Sequence, residues 1–173
     1  TPVTSHNSFA KPIQLSLLIA TCTTLLLGGC DSKTPSKEEL AARTPLKLTV
    51  LSETPTYAGH GFKSALDGDP NNDYVAGIEN EKQAIVELGL ETPATPAELF
   101  LMWNDPTQFA KKVQVFDLAG QGEKEVLIAD VRVNSESVTR IPLESSAKSR
   151  AIRIVFSDFA GQPRILLKIL ELR

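Results

Sequence analysis

From Leu46 onward the chain consists of short apolar runs separated by Gly, Pro, Asn and Asp, the pattern of a β-domain. Eight runs carry strand character: Leu46–Ser52, Gln83–Gly89, Ala97–Trp103, Lys111–Leu118, Lys124–Arg132, Ser137–Leu143, Arg150–Phe156 and Arg164–Leu172. Alternation is clearest where Val113 and Val115 point one way with Gln114 opposite, and where Ile152, Ile154 and Phe156 share a face with Arg153 opposite. One face of each strand is therefore buried. Turn signals lie between the runs at Pro93 and Pro96, Asn104-Asp105-Pro106, Gly120-Gln121-Gly122 and Ala160-Gly161-Gln162-Pro163. No helix joins two parallel strands, so the pattern predicts one all-β, antiparallel sandwich or barrel. Arg140, Arg150, Arg153 and Arg164 alternate with apolar residues or flank strands, which suits solvent-facing positions.

The connection Glu53–Lys82 is out of proportion to the others, and connections of that length are usually functional or locally structured. Phe62–Leu66 within it reads as a helical turn. Asp67-Gly68-Asp69-Pro70-Asn71-Asn72-Asp73 then crowds oxygen-bearing side chains together, as a hard cation such as calcium requires. It is not an EF-hand, because Asn72 and Ile78 stand where that loop needs Gly and Glu. The same residues are also the best turn formers, so a metal-free turn answers the pattern equally well.

Composition removes several functions. The two cysteines are Cys22 and Cys30, so the β-region has no thiol, disulfide or thiolate metal site and must be stable through its core. A formal charge of −3 and the isolated pair Lys111-Lys112 argue against a nucleic-acid partner. His60 is the only histidine beyond His6, which rules out a histidine zinc triad. No Gly-x-Ser-x-Gly elbow occurs, and the Ser-x-x-Lys spacing of Ser145 and Lys148 falls in an apparent loop and reads as chance. The chain is expected not to be an enzyme.

The first residues read as an address. Lys11 precedes the mostly apolar run Ile13 to Leu27, too short to span a bilayer comfortably and ending in small residues. Leu27-Gly28-Gly29-Cys30 resembles the lipobox of bacterial lipoproteins. The resemblance implies a signal peptide at 1–29, a mature chain starting at Cys30, and acyl chains on Cys30 that hold it at a membrane of the bacterial cell envelope. Residues 30–45 are poor in apolar side chains and read as a flexible tether.

The order of elements over 46–173 resembles the discoidin group of galactose-binding-like domains, which includes coagulation-factor C-type domains and bacterial carbohydrate-binding modules. The resemblance rests on Ser64-Ala65-Leu66-Asp67-Gly68-Asp69 followed by Tyr74, on Ala84-Ile85-Val86-Glu87-Leu88-Gly89, and on Leu99-Phe100-Leu101-Met102-Trp103. Ala151-Ile152-Arg153-Ile154 and the closing Glu171-Leu172 complete it. It implies an eight-stranded antiparallel jelly-roll sandwich with ligand loops at one end, and a structural calcium held by Asp67, Asp69, Asn72 and Glu171. Candidate ligand contacts are Tyr57, His60, Tyr74 and Trp103, since sugars stack apolar CH faces on aromatic rings and need polar partners for their hydroxyls. Trp103 closes an apolar strand, a place that suits a core residue too. The expected function is a membrane-anchored module that binds a carbohydrate or another envelope ligand. The alternative is an assembly subunit of an envelope complex that binds a protein and no sugar.

Overall fold

The computed structural model describes residues 44–118, 124–134 and 137–173. The expected signal peptide, Cys30, most of the expected tether and the expected turn at Gly120-Gln121-Gly122 lie outside the described residues. In chain order the strands are β1 (Leu48–Glu53), β2 (Val75–Ala76), β3 (Gln83–Ala94), β4 (Glu98–Trp103), β5 (Ala110–Asp117), β6 (Val126–Arg132), β7 (Val138–Pro142), β8 (Ser149–Phe159) and β9 (Leu166–Leu172), with a single 3-10 turn at Phe62–Ala65. They form two antiparallel sheets, one in the order β1-β3-β8-β5-β6 and the other β2-β9-β4-β7. The eight expected strands and the helical turn are present. A ninth strand, β2, is an addition inside the long connection, and Pro93 lies within β3 rather than in a turn. The β3–β8 ladder shifts register between Gly89 and Ala94, an irregularity of the kind that accommodates a proline without an N–H to donate.

Period-two alternation decides which side chains meet. Val113 pairs with Phe156 and Val115 with Ile154 across β5 and β8, and all four are buried. From the facing sheet Leu99, Leu101, Trp103, Ile141, Leu167, Leu170 and Leu172 enter the same core. Each fully buried Leu, Ile or Phe contributes about 1.5–3 kcal/mol, which is how a thiol-free sandwich is held together.

The outer faces carry ion pairs. On the five-stranded sheet Arg153 donates to Glu87 Oε1 from Nε (2.9 Å) and Nη2 (2.7 Å), and to Glu125 from Nη1. Arg153, with a smaller contribution from Ser52, holds the Glu87 carboxyl below the ordinary glutamate range. A carboxyl depressed in the folded state binds fewer protons there than in the unfolded chain. Its stabilisation is therefore present above the ordinary glutamate range and is lost as pH falls towards the folded value. Glu87→Gln is expected to flatten the fall in Tm between about pH 5 and about pH 3. A fall as steep as that of the unaltered protein would assign the acid sensitivity to other carboxyls.

On the four-stranded sheet Glu98 is only 1% exposed. Its Oε1 accepts from Arg140 Nη1 at 2.8 Å and lies 3.9 Å from Arg173 Nη1. Both guanidinium groups stack on Phe100, at 4.9 and 4.6 Å from the ring centroid. Arg140 is thus the partner of a buried carboxylate rather than a merely solvent-facing strand residue.

The two ends of the sandwich differ. At one, Leu46 N–H donates to Leu172 O (2.8 Å) and Ala97 N–H to Arg173 O (2.7 Å), so the entry to β1 lies beside the last strand. At the other gather the loops after β1, before β3, after β4 and before β9.

Candidate functional site

The long connection is fastened before it can present anything. Phe62 is fully buried, its ring stacked on Phe156 at 6.0 Å, and its N–H donates to Glu53 Oε2 at 2.7 Å. Tyr57 N–H donates to Ala76 O (2.9 Å), His60 N–H to Tyr57 O (2.9 Å) and Ala76 N–H to His60 O (3.0 Å), which lays this segment along β2. Gly77 N–H to Ile165 O (3.1 Å) and Asn80 N–H to Pro163 O (3.0 Å) join it to the loop before β9.

These bonds leave Tyr57 at the loop end with 41% of its surface exposed. The Arg164 guanidinium carbon lies 5.5 Å from the Tyr57 ring centroid, and Arg164 Nη1 is 3.5 Å from Glu79 Oε1. Arg164 Nε is buried with no protein hydrogen-bond partner. The neighbouring loops are pressed together at Gly161, which has φ +70° and room for no side chain, since a Cβ would sit 2.8 Å from Gln108 Cγ. Asp105, beside them, accepts from Thr107 N–H (2.7 Å) and Oγ1 (2.6 Å), and these bonds hold its carboxyl below the usual aspartate range. The result is a shallow surface with an apolar ring, a cation and a carboxylate within reach of one another.

The other aromatic candidates have different places. His60 Nδ1 is 3.0 Å from Tyr74 O, which as a carbonyl can only accept, so Nδ1 carries the proton. The two rings lie 5.0 Å apart, and half-buried Tyr74 faces Lys168 Nζ at 5.6 Å on its other contact. His60 and Tyr74 form a second pair that braces the loop along β2. Trp103 is a correction: it is 2% exposed, packs on Phe109 and Phe156, and donates its indole N–H to Thr139 Oγ1 at 2.9 Å. Strand alternation turns it into the core, where it has no free face for a ligand. Arg164 and Glu79 were not among the sequence candidates. The turn Gly161-Gln162-Pro163 directly before Arg164 was the available signal, since it lifts a strand-flanking arginine onto a loop.

The acidic loop surrounds an open recess of about 400 Å³ lined by Ser64, Asp67, Asn71, Asn72 and Asp73. Asp67 Oδ1 accepts from Asp69 N–H (3.0 Å) and Oδ2 from Asn72 Nδ2 (2.7 Å), and these bonds, Asn72's foremost, keep its carboxyl below the usual aspartate range. Asp69 Oδ1 is taken by Asn71 N–H (2.9 Å) and Nδ2 (3.2 Å). Gly68, at φ +71°, passes close to Glu171, whose other oxygen accepts from Arg173 Nε at 3.0 Å. Among the described residues no three His, Cys, Asp or Glu side chains stand together as a metal would need. Both Asp67 oxygens, Asp69 Oδ1 and Glu171 Oε2 already accept hydrogen bonds, so a calcium ion here would have to compete with them and draw on the other oxygens of Asp69, Asn72 and Glu171.

No protein-family model matches the chain, and no curated protein does. Solved structures share its architecture. The family 32 carbohydrate-binding module of Streptococcus pneumoniae EndoD superposes with a TM-score of 0.61 at 20% identity, over 74% of this chain and 96% of that one. The family 32 module of Clostridium perfringens NanJ, solved in complex with galactose, gives 0.62 at 15% identity, over 72% and 92%. A chitosan-binding module from a Paenibacillus chitosanase/glucanase gives 0.59 at 14%, over 75% and 95%. These likenesses establish the fold, a galactose-binding-like jelly roll; what the site takes has to be argued from its own residues.

Proposed function

We propose that the chain is a non-catalytic carbohydrate-binding module, carried at the bacterial cell envelope by a lipid on Cys30. The observation that carries the reading is the exposed Tyr57 ring beside Arg164 and Glu79 at the loop end. The ring offers a surface for a sugar's CH face, the guanidinium donates to hydroxyl oxygens, and the carboxylate accepts from hydroxyl hydrogens. The fold adds support, since the Clostridium module of the same architecture was solved with galactose. Galactose is accordingly the first sugar to try. The assembly alternative gains nothing specific: the exposed apolar residues Leu51 and Val126-Leu127 lie on β1 and β6, at opposite edges of one sheet.

A glycan array followed by calorimetry tests the reading. Tyr57→Ala is expected to weaken sugar binding about tenfold, the equivalent of about 1.4 kcal/mol, with little change in Tm. A blank array, or unchanged affinity in the variant, removes this site and moves the weight to a protein partner. For the anchor, Cys30→Ser is expected to abolish incorporation of labelled fatty acid and release the protein from the membrane fraction. Retention of the label would place the lipid elsewhere.

A further inference from the structure

The ladder between β4 and β9 pairs Met102 with Ile169 and then Trp103 with Leu167, so Lys168 is the extra residue of a bulge. A bulge re-aims the side chain it carries. Here the ammonium of Lys168 donates to the backbone carbonyl of Asn72 and faces the Tyr74 ring at 5.6 Å. After the hydrogen bonds from Asn72 and Asp69, its charge is the least of the influences that favour the ionised form of Asp67. A carbonyl oxygen and an aromatic face both attract a positive charge. They converge on an ammonium that the protein itself supplies.

We propose that Lys168 is the cation that ties the Asp67–Asp73 loop to β9, so that the loop is held closed without calcium. The ammonium takes one carbonyl that a metal would need, and its charge repels a divalent ion from the remaining oxygens. The tie is intramolecular, so it forms without taking an ion from the surroundings. This stands independently of what the domain binds.

The test compares melting in a chelator and in millimolar calcium chloride, together with hydrogen exchange. The unaltered protein is expected to melt at the same temperature in both. Lys168→Met is expected to speed amide exchange across 67–74 at least tenfold while β8 stays protected, and Lys168→Arg to restore much of the protection. A calcium-dependent rise in the Tm of the unaltered protein overturns the proposal, because a ligand bound only by the folded state raises Tm by mass action. So does a Lys168→Met variant whose loop exchanges like that of the unaltered protein. Should Lys168→Met fail to fold, the melting comparison on the unaltered protein still decides.

Discussion

Replacing Arg140 by methionine is expected to cost about 3 kcal/mol of stability, because it strips the nearest partner from a carboxylate that has almost no water to fall back on. Glu98 Oε1 would be left with Arg173 at 3.9 Å, beyond hydrogen-bond distance. The stem of methionine fills much of the space of the arginine stem over Phe100, so lost packing is a minor part of the effect. The double variant Glu98→Leu with Arg140→Met separates the causes. Removing both charges should recover most of the loss, since an apolar pair of similar volume needs no compensation in that place. Denaturant unfolding of the four proteins of the cycle gives the coupling directly. A double variant as unstable as Arg140→Met alone would show that shape, rather than an uncompensated charge, is what the site requires.

Phe62→Ala carries a comparable loss, about 3–4 kcal/mol, by a different route. The ring is fully buried and stacked on Phe156, which in turn meets Trp103 edge-on at 6.2 Å. Truncation leaves a cavity between the two sheets that these rigid rings cannot collapse to fill. It also unpins the segment that carries Tyr57, so sugar affinity should fall along with stability. Phe62→Leu is expected to keep most of both. If Phe62→Ala unfolds at the same denaturant concentration as the unaltered protein, the 3-10 turn is not the fastening described above.

What the sequence made legible follows from the range of each signal. The β5 and β8 alternations are local and strong, so strand positions and the buried face could be read from the chain. β2 could not be read, because two residues, Val75 and Ala76, give no alternation and are a strand only through their pairing with Leu166 and Leu167. The same holds for the arginines. Arg140 and Arg164 look like any solvent-facing strand positions until Glu98, Phe100, Tyr57 and Glu79 are brought against them from other strands and loops. Trp103 shows the converse, since its parity in β4 was readable but its partner Thr139 belongs to a strand reached only through the sheet. Asp67 and its neighbours were legible as a cluster of oxygens. That Lys168, from the other end of the domain's sequence, would reach this loop was not, because the bulge that aims it exists only in the assembled ladder.

The bond from Leu46 N–H to Leu172 O gives the domain a heel and a toe. β1 is entered at the heel, while β9 runs for seven residues, about 23 Å at roughly 3.3 Å each, between that heel and the loop bearing Arg164. Tyr57 and Arg164 thus stand at the toe, a strand's length from Leu46 and Leu172. On the proposed reading, a sugar at Tyr57 would be bound at the end of the sandwich away from the residues that lead into β1.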